Sequence, residues 1–172
     1  MRIIRNILTL LIILTSNQVF CCDCKDLGPL DSLRSISYNN SDLVFLGELI
    51  EFDTTNLTYT FEIIELFKGE TKKELIKGKY FDSCSKFPKE KCEWIVYAKI
   101  KDNNIIDING CLASRSKLRP FCINCYNPPP PLRPNASEIE IEQSKELERI
   151  FWERAKNDWI DEVELLRNRK IK

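Results

Sequence analysis

The chain has 172 residues, 26 basic and 26 acidic side chains, and no histidine. Without histidine there is no Ser/His/Asp or Cys/His catalytic set and no histidine-containing zinc site. With Arg2 and Arg5 set aside the remainder is slightly acidic, which argues against a nucleic-acid partner.

Arg2 and Arg5 precede an apolar run from Ile7 to Leu14 and a polar stretch from Thr15 to Gln18. This is the anatomy of a secretory signal peptide, and the run is too short to span a bilayer. Cutting after Cys21 leaves small residues, Val19 and Cys21, at minus three and minus one, so residues 1–21 are read as the signal and Cys22 as the mature N-terminus. No later stretch is long and apolar enough to cross a membrane. Export places eight cysteines in an oxidising compartment, where disulfides are favoured over structural zinc. Removal of Cys21 leaves an odd number; the spare thiol is free, pairs between chains or carries a lipid. Sequons at Asn39, Asn56 and Asn135 are glycan acceptors only in a eukaryotic secretory pathway.

Leu27, Leu30, Leu33 and Ile36 recur every third residue and predict a short helix within Leu30–Tyr38, ended by Asn39-Asn40-Ser41. Leu43–Phe52 reads as a strand. After the polar turn Asp53–Asn56, the segment Leu57–Ile63 alternates apolar and polar residues, so the two form a hairpin with one buried face. Phe67-Lys68-Gly69 closes the second strand. Leu75–Phe81 is a third strand interrupted by Gly78, Trp94–Ala98 a buried central strand, and Ile105–Ile108 a fifth after the Asn103-Asn104 turn. Five short strands and one helix predict a mainly β, OB-like five-stranded barrel over residues 22–118, although periodicity alone also describes a sandwich.

Six of the eight prolines lie in Pro120–Pro134, including Pro128-Pro129-Pro130-Pro131, so residues 119–136 are read as a Cys/Pro-rich, semi-rigid spacer. Residues 137–172 lack Gly and Pro. Leu147, Phe151, Ala155, Trp159, Val163 and Leu166, widened by Trp152 and Ile160, form the apolar stripe of an amphipathic helix that packs on the barrel or on a second copy of itself. Its polar face carries too many acids for a membrane-surface role. Asp and Glu elsewhere show no spacing that marks an acid/base pair. The chain is read as a non-enzyme with no cofactor and no intrinsic metal.

Cys22-Asp23-Cys24, Ser41–Glu48, Phe61-Glu62-Ile63, Phe67-Lys68-Gly69, Cys84, Trp94–Ala98 and Gly110–Arg115 follow one another in an order that resembles the netrin-like module of the tissue inhibitor of metalloproteinases family. The resemblance implies an OB-like barrel with disulfides Cys22–Cys84 and Cys24–Cys111. Each would close a loop of roughly 60–90 residues, worth about 4 kcal/mol in the chain-entropy account. A further bridge is expected between Cys92 and one member of the Cys122/Cys125 pair. The resemblance also implies an inhibitory mechanism in which the amine and carbonyl of Cys22 chelate the catalytic zinc of a metalloendopeptidase while Asp23 enters its specificity pocket. Inhibitors of that family usually carry Ser or Thr at this position. The alternative is a non-inhibitory exported binding module, secreted or lipid-anchored at a bacterial surface through an acylated Cys22.

Overall fold

The computed structural model describes residues 24, 27–121 and 128–170. The expected signal segment, Cys22, Asp23, Cys122 and Cys125 lie outside the described residues.

The elements follow as helix α1 (Leu30–Asn40), strands β1 (Leu43–Asp53), β2 (Thr58–Lys68), β3 (Leu75–Lys79), β4 (Glu93–Lys101), β5 (Ile105–Ile108) and β6 (Arg115–Ser116), and helix α2 (Glu138–Lys170). The strands run β1-β2-β3-β5-β4, and β4 pairs back onto β1, closing a five-stranded barrel; β6 adds to β4. All pairings are antiparallel except β3 with β5. This is an OB-like barrel. β1 reaches two partners because it bends: its register against β2 shifts at Val44/Phe45, Leu46/Gly47 and Leu49/Glu51, and such bulges raise local twist and let one strand turn the corner of a barrel.

Alternation along the strands sorts the side chains into two cores. Leu43, Phe45, Leu49, Tyr59, Phe61, Trp94, Val96, Ile106 and Ile108 fill the interior, with edge-to-face contacts between Phe45 and Phe61, Tyr59 and Phe61, and Phe61 and Trp94. The alternate residues Val44, Leu46, Ile95 and Tyr97 face outwards and are covered by Leu33 of α1 and by Trp159, Val163 and Leu166 of α2. Gly78 does not interrupt β3; it makes room for a ring. A Cβ there would lie 2.0 Å from Tyr59 Cε2, so only glycine lets the buried tyrosine cross that strand.

The C-terminal helix packs on the barrel, through its second half. Ala155, Trp159, Val163 and Leu166 are buried, whereas Leu147 is exposed and Phe151 half-buried. Phe151 and Trp152 meet Phe121, the last described residue before the proline segment, with ring centroids 5.8 and 5.5 Å apart. β2 runs to Lys68, within the Phe67-Lys68-Gly69 segment expected to close it. Ladder pairing with β1 carries it through the less regular Ile64-Glu65-Leu66.

Candidate functional site

The expected functional end of the chain begins at Cys24, which is bonded to Cys111 with an S–S distance of 1.94 Å and Cα atoms 5.3 Å apart. Cys111 follows β5 on a tight turn: its N–H donates to Asn109 Oδ1 at 2.8 Å, and Leu112 N–H donates to Asn109 O at 3.2 Å. Asn109 side chains of this kind mimic a backbone turn.

The neighbouring loop holds Cys84. Asp82 starts it, its Oδ1 accepting the N–H of Cys84 at 2.8 Å and of Ser85 at 3.1 Å. Ser85 Oγ donates to the buried Asp107 Oδ1 at 2.7 Å and accepts from Phe81 N–H at 3.1 Å. Gly110 N–H donates to Cys84 O at 2.7 Å, and Ser85 bridges Asn109, so the Cys84 and Cys111 turns lie side by side at one end of the barrel. Cys84 is itself disulfide-bonded.

The bridge expected at Cys92 is corrected by the structure: Cys92 carries a free, half-buried thiol. It sits just before β4, packed against the barrel interior with Sγ 3.5 Å from Glu93 O, and so serves as a small core residue. Among the described residues no group of three or more metal-binding side chains comes together.

A second constellation escaped the sequence reading. Glu162 of α2 is 1 % exposed, and its Oε2 takes Arg34 Nε at 2.5 Å and Arg115 Nη2 at 2.9 Å while Oε1 accepts from Tyr97 OH at 2.9 Å. Arg115 also donates to Pro120 O at 2.6 Å and Ala113 O at 3.1 Å, and Arg34 donates to Asp158 O. One carboxylate thus joins α1, β4, β6 and α2. Burial first, then the adjacent Glu162 carboxylate, pushes the Tyr97 hydroxyl well above its usual range. The signal was present in the chain: Glu162 falls on the stripe of Ala155, Trp159, Val163 and Leu166, where a charge needs a buried partner.

The motifs quoted above hold the fold together. Lys68 Nζ donates to Tyr38 O at 2.6 Å, Asn39 O at 3.3 Å and Ser41 O at 2.7 Å, capping the end of α1. Ser41 Oγ donates to Ser37 O at 2.7 Å, and Ser37 Oγ accepts Ala113 N–H at 3.0 Å. Asp42 takes Ile100 N–H at 3.0 Å and Lys99 Nζ at 3.1 Å, which holds its carboxyl below the usual range. No known protein family and no curated protein matches this chain. Among the described residues no helix is long and apolar enough to cross a membrane.

Proposed function

We propose that this chain is an exported netrin-like module that inhibits a zinc metalloendopeptidase, with the amine and carbonyl of Cys22 as zinc ligands and Asp23 beside them in the specificity pocket. The observation that carries the reading is the Cys24–Cys111 bridge, which ties the chain two residues beyond Cys22 to a rigid barrel end. Holding a chelating terminus on such a scaffold reduces the entropy lost on binding.

The cysteine count supports an oxidised Cys22. Of the eight cysteines, Cys21 leaves with the expected signal and Cys92 is free, so six remain, an even set that includes Cys22. Acylation of Cys22 would leave five. The second reading, a non-inhibitory secreted or lipid-anchored binding module, is favoured by Asp23, because a carboxylate entering an apolar pocket sheds water without an assured partner. Self-association belongs with that reading, through the first half of α2 where Ile139, Leu147 and Ile150 are exposed.

Intact mass and N-terminal sequencing of the exported protein, followed by assay against a panel of zinc endopeptidases, test the proposal. The expected result is an unmodified Cys22 amine, inhibition by the natural form, and tighter inhibition by Asp23→Ser. An acylated Cys22, a chain beginning at Cys21, or no inhibition by either form would overturn it.

A further inference from the structure

Lys86-Phe87-Pro88-Lys89-Glu90 mixes charged and apolar residues and forms no regular element, so its direction is set by what it packs on. It lies across the start of β4, where Trp94 Nε1–H donates to Glu90 O at 2.9 Å, and beside the end of β6. Between them is a cavity of about 320 Å³, lined by Lys86, Phe87, Trp94, Arg119 and Phe121 among others. That volume falls at the small end of the range occupied by organic ligands, roughly 300–1,000 Å³.

The charges in this cleft are unbalanced. Lys86, Lys89 and Arg119 face a single acid, Glu90, which is 3.3 Å from Arg119 Nε. Lys86 Nζ donates to Ser114 O at 2.6 Å and stands 5.5 Å from the centroid of the Trp94 ring, yet among the described residues it has no carboxylate within ion-pair distance. An ammonium has three donors, and a half-buried one without a counter-charge is costly. Burial first, and then the neighbouring Arg115, push its pKa down to about 8 against the opposing pull of Glu90.

We propose that this cleft binds a small organic anion whose acidic oxygens meet Lys86 and Arg119 and whose flat apolar body lies against Phe87 and Phe121, beside the buried Trp94. A carboxylate and a phosphate monoester share that chemistry. The anion supplies Lys86 with a counter-charge at ion-pair distance, and the rings supply apolar contact on which a flat body stacks. The site does not depend on the terminal cysteine or on protease inhibition.

The test uses the full exported chain, with benzoate, phenyl phosphate and inorganic phosphate as probes, and follows the Trp94 indole N–H resonance. Saturable shifts are expected with benzoate, phenyl phosphate or both, with dissociation constants up to about 1 mM. Binding of one alone identifies the acidic group, and binding of both shows that the cleft takes either. Affinity should fall about tenfold in Lys86→Gln and several-fold in Arg119→Gln, because each removes a charge-assisted hydrogen bond. Arg119 is 70 % exposed, so its replacement tests the site even if Lys86→Gln disturbs folding. No saturable shift with either organic anion at about 10 mM, unchanged affinity in Arg119→Gln, or equal binding of inorganic phosphate and phenyl phosphate would overturn the proposal.

Discussion

Glu162→Gln preserves the volume of the side chain and removes only its charge, which isolates what the carboxylate does for two buried guanidinium groups. Arg115 has a side chain 1 % exposed and Arg34 one 10 % exposed, so neither recovers water when the counter-charge goes. Removing one partner of a buried ion pair costs about 3–5 kcal/mol. Here the lower end applies. Arg115 keeps Pro120 O and Ala113 O, and Arg34 keeps Asp158 O and the exposed Asp31 at 3.1 Å, although that last pair is screened by solvent. A loss of about 3 kcal/mol in a domain of this size lowers the melting temperature by roughly 6–12 °C. Calorimetry and urea titration of the variant measure it directly. A fall of less than about 2 °C would refute the reasoning that this carboxylate clamps α2 to the barrel. The triple replacement Arg34→Met, Arg115→Leu, Glu162→Leu provides the control. Buried ion pairs exchanged whole for apolar residues are often neutral or stabilising, so it should recover most of the loss.

Gly78→Ala places a methyl 2.0 Å from the Tyr59 ring in a packed interior, and should cost at least about 1–3 kcal/mol in urea denaturation; Gly78→Ala with Tyr59→Leu should recover part of it. The pH dependence of stability has a defined sign at Lys86. Its folded pKa of about 8 lies below the unfolded value of 10.5, so the unfolded chain binds more protons between these values and stability should rise across that window. Tyr59 and Tyr97 oppose this above about pH 10, because their raised folded pKa values let the unfolded chain ionise first. Melting temperatures measured from pH 7 to pH 10 in the parent and in Lys86→Met should therefore diverge, the rise being absent in the variant.

The residues that made the fold legible are those whose effects are local. Alternation in Leu57–Ile63, the apolar Trp94–Ala98 run and the Asn103-Asn104 turn announce strands because inward and outward positions repeat every two residues. Gly78 misled, since a glycine that weakens a strand in isolation is required here by a ring from the next strand. The motifs that suggested a family mark contacts that close the barrel: Lys68 caps α1, Asp42 ties β1 to Ile100, and Ser37 holds Ala113. Such contacts speak to architecture, and an activity has to be argued from the terminal residues separately.

The candidate sites divide in the same way. Cys24 and Cys111 were paired through the resemblance, because 87 residues separate them and no local pattern joins them; the barrel brings their Cα atoms to 5.3 Å. Cys92 was misassigned because cysteine count says nothing about which way a side chain turns, and its thiol turns into the core. Lys86, Trp94 and Arg119 carry no mutual spacing that would suggest a cleft.

What the sequence determined by itself was the inventory: five barrel strands, two helices and an exclusion of histidine chemistry. All of these follow from residue type and short periodicity. Only the tertiary structure decided which half of α2 meets the barrel, that Glu162 sits between two arginines, and that Lys86 has no carboxylate within ion-pair distance among the described residues. Those outcomes depend on residues far apart in the chain, Arg34 and Glu162 being separated by 128 positions, and juxtapositions of that kind are set by the closure of the barrel.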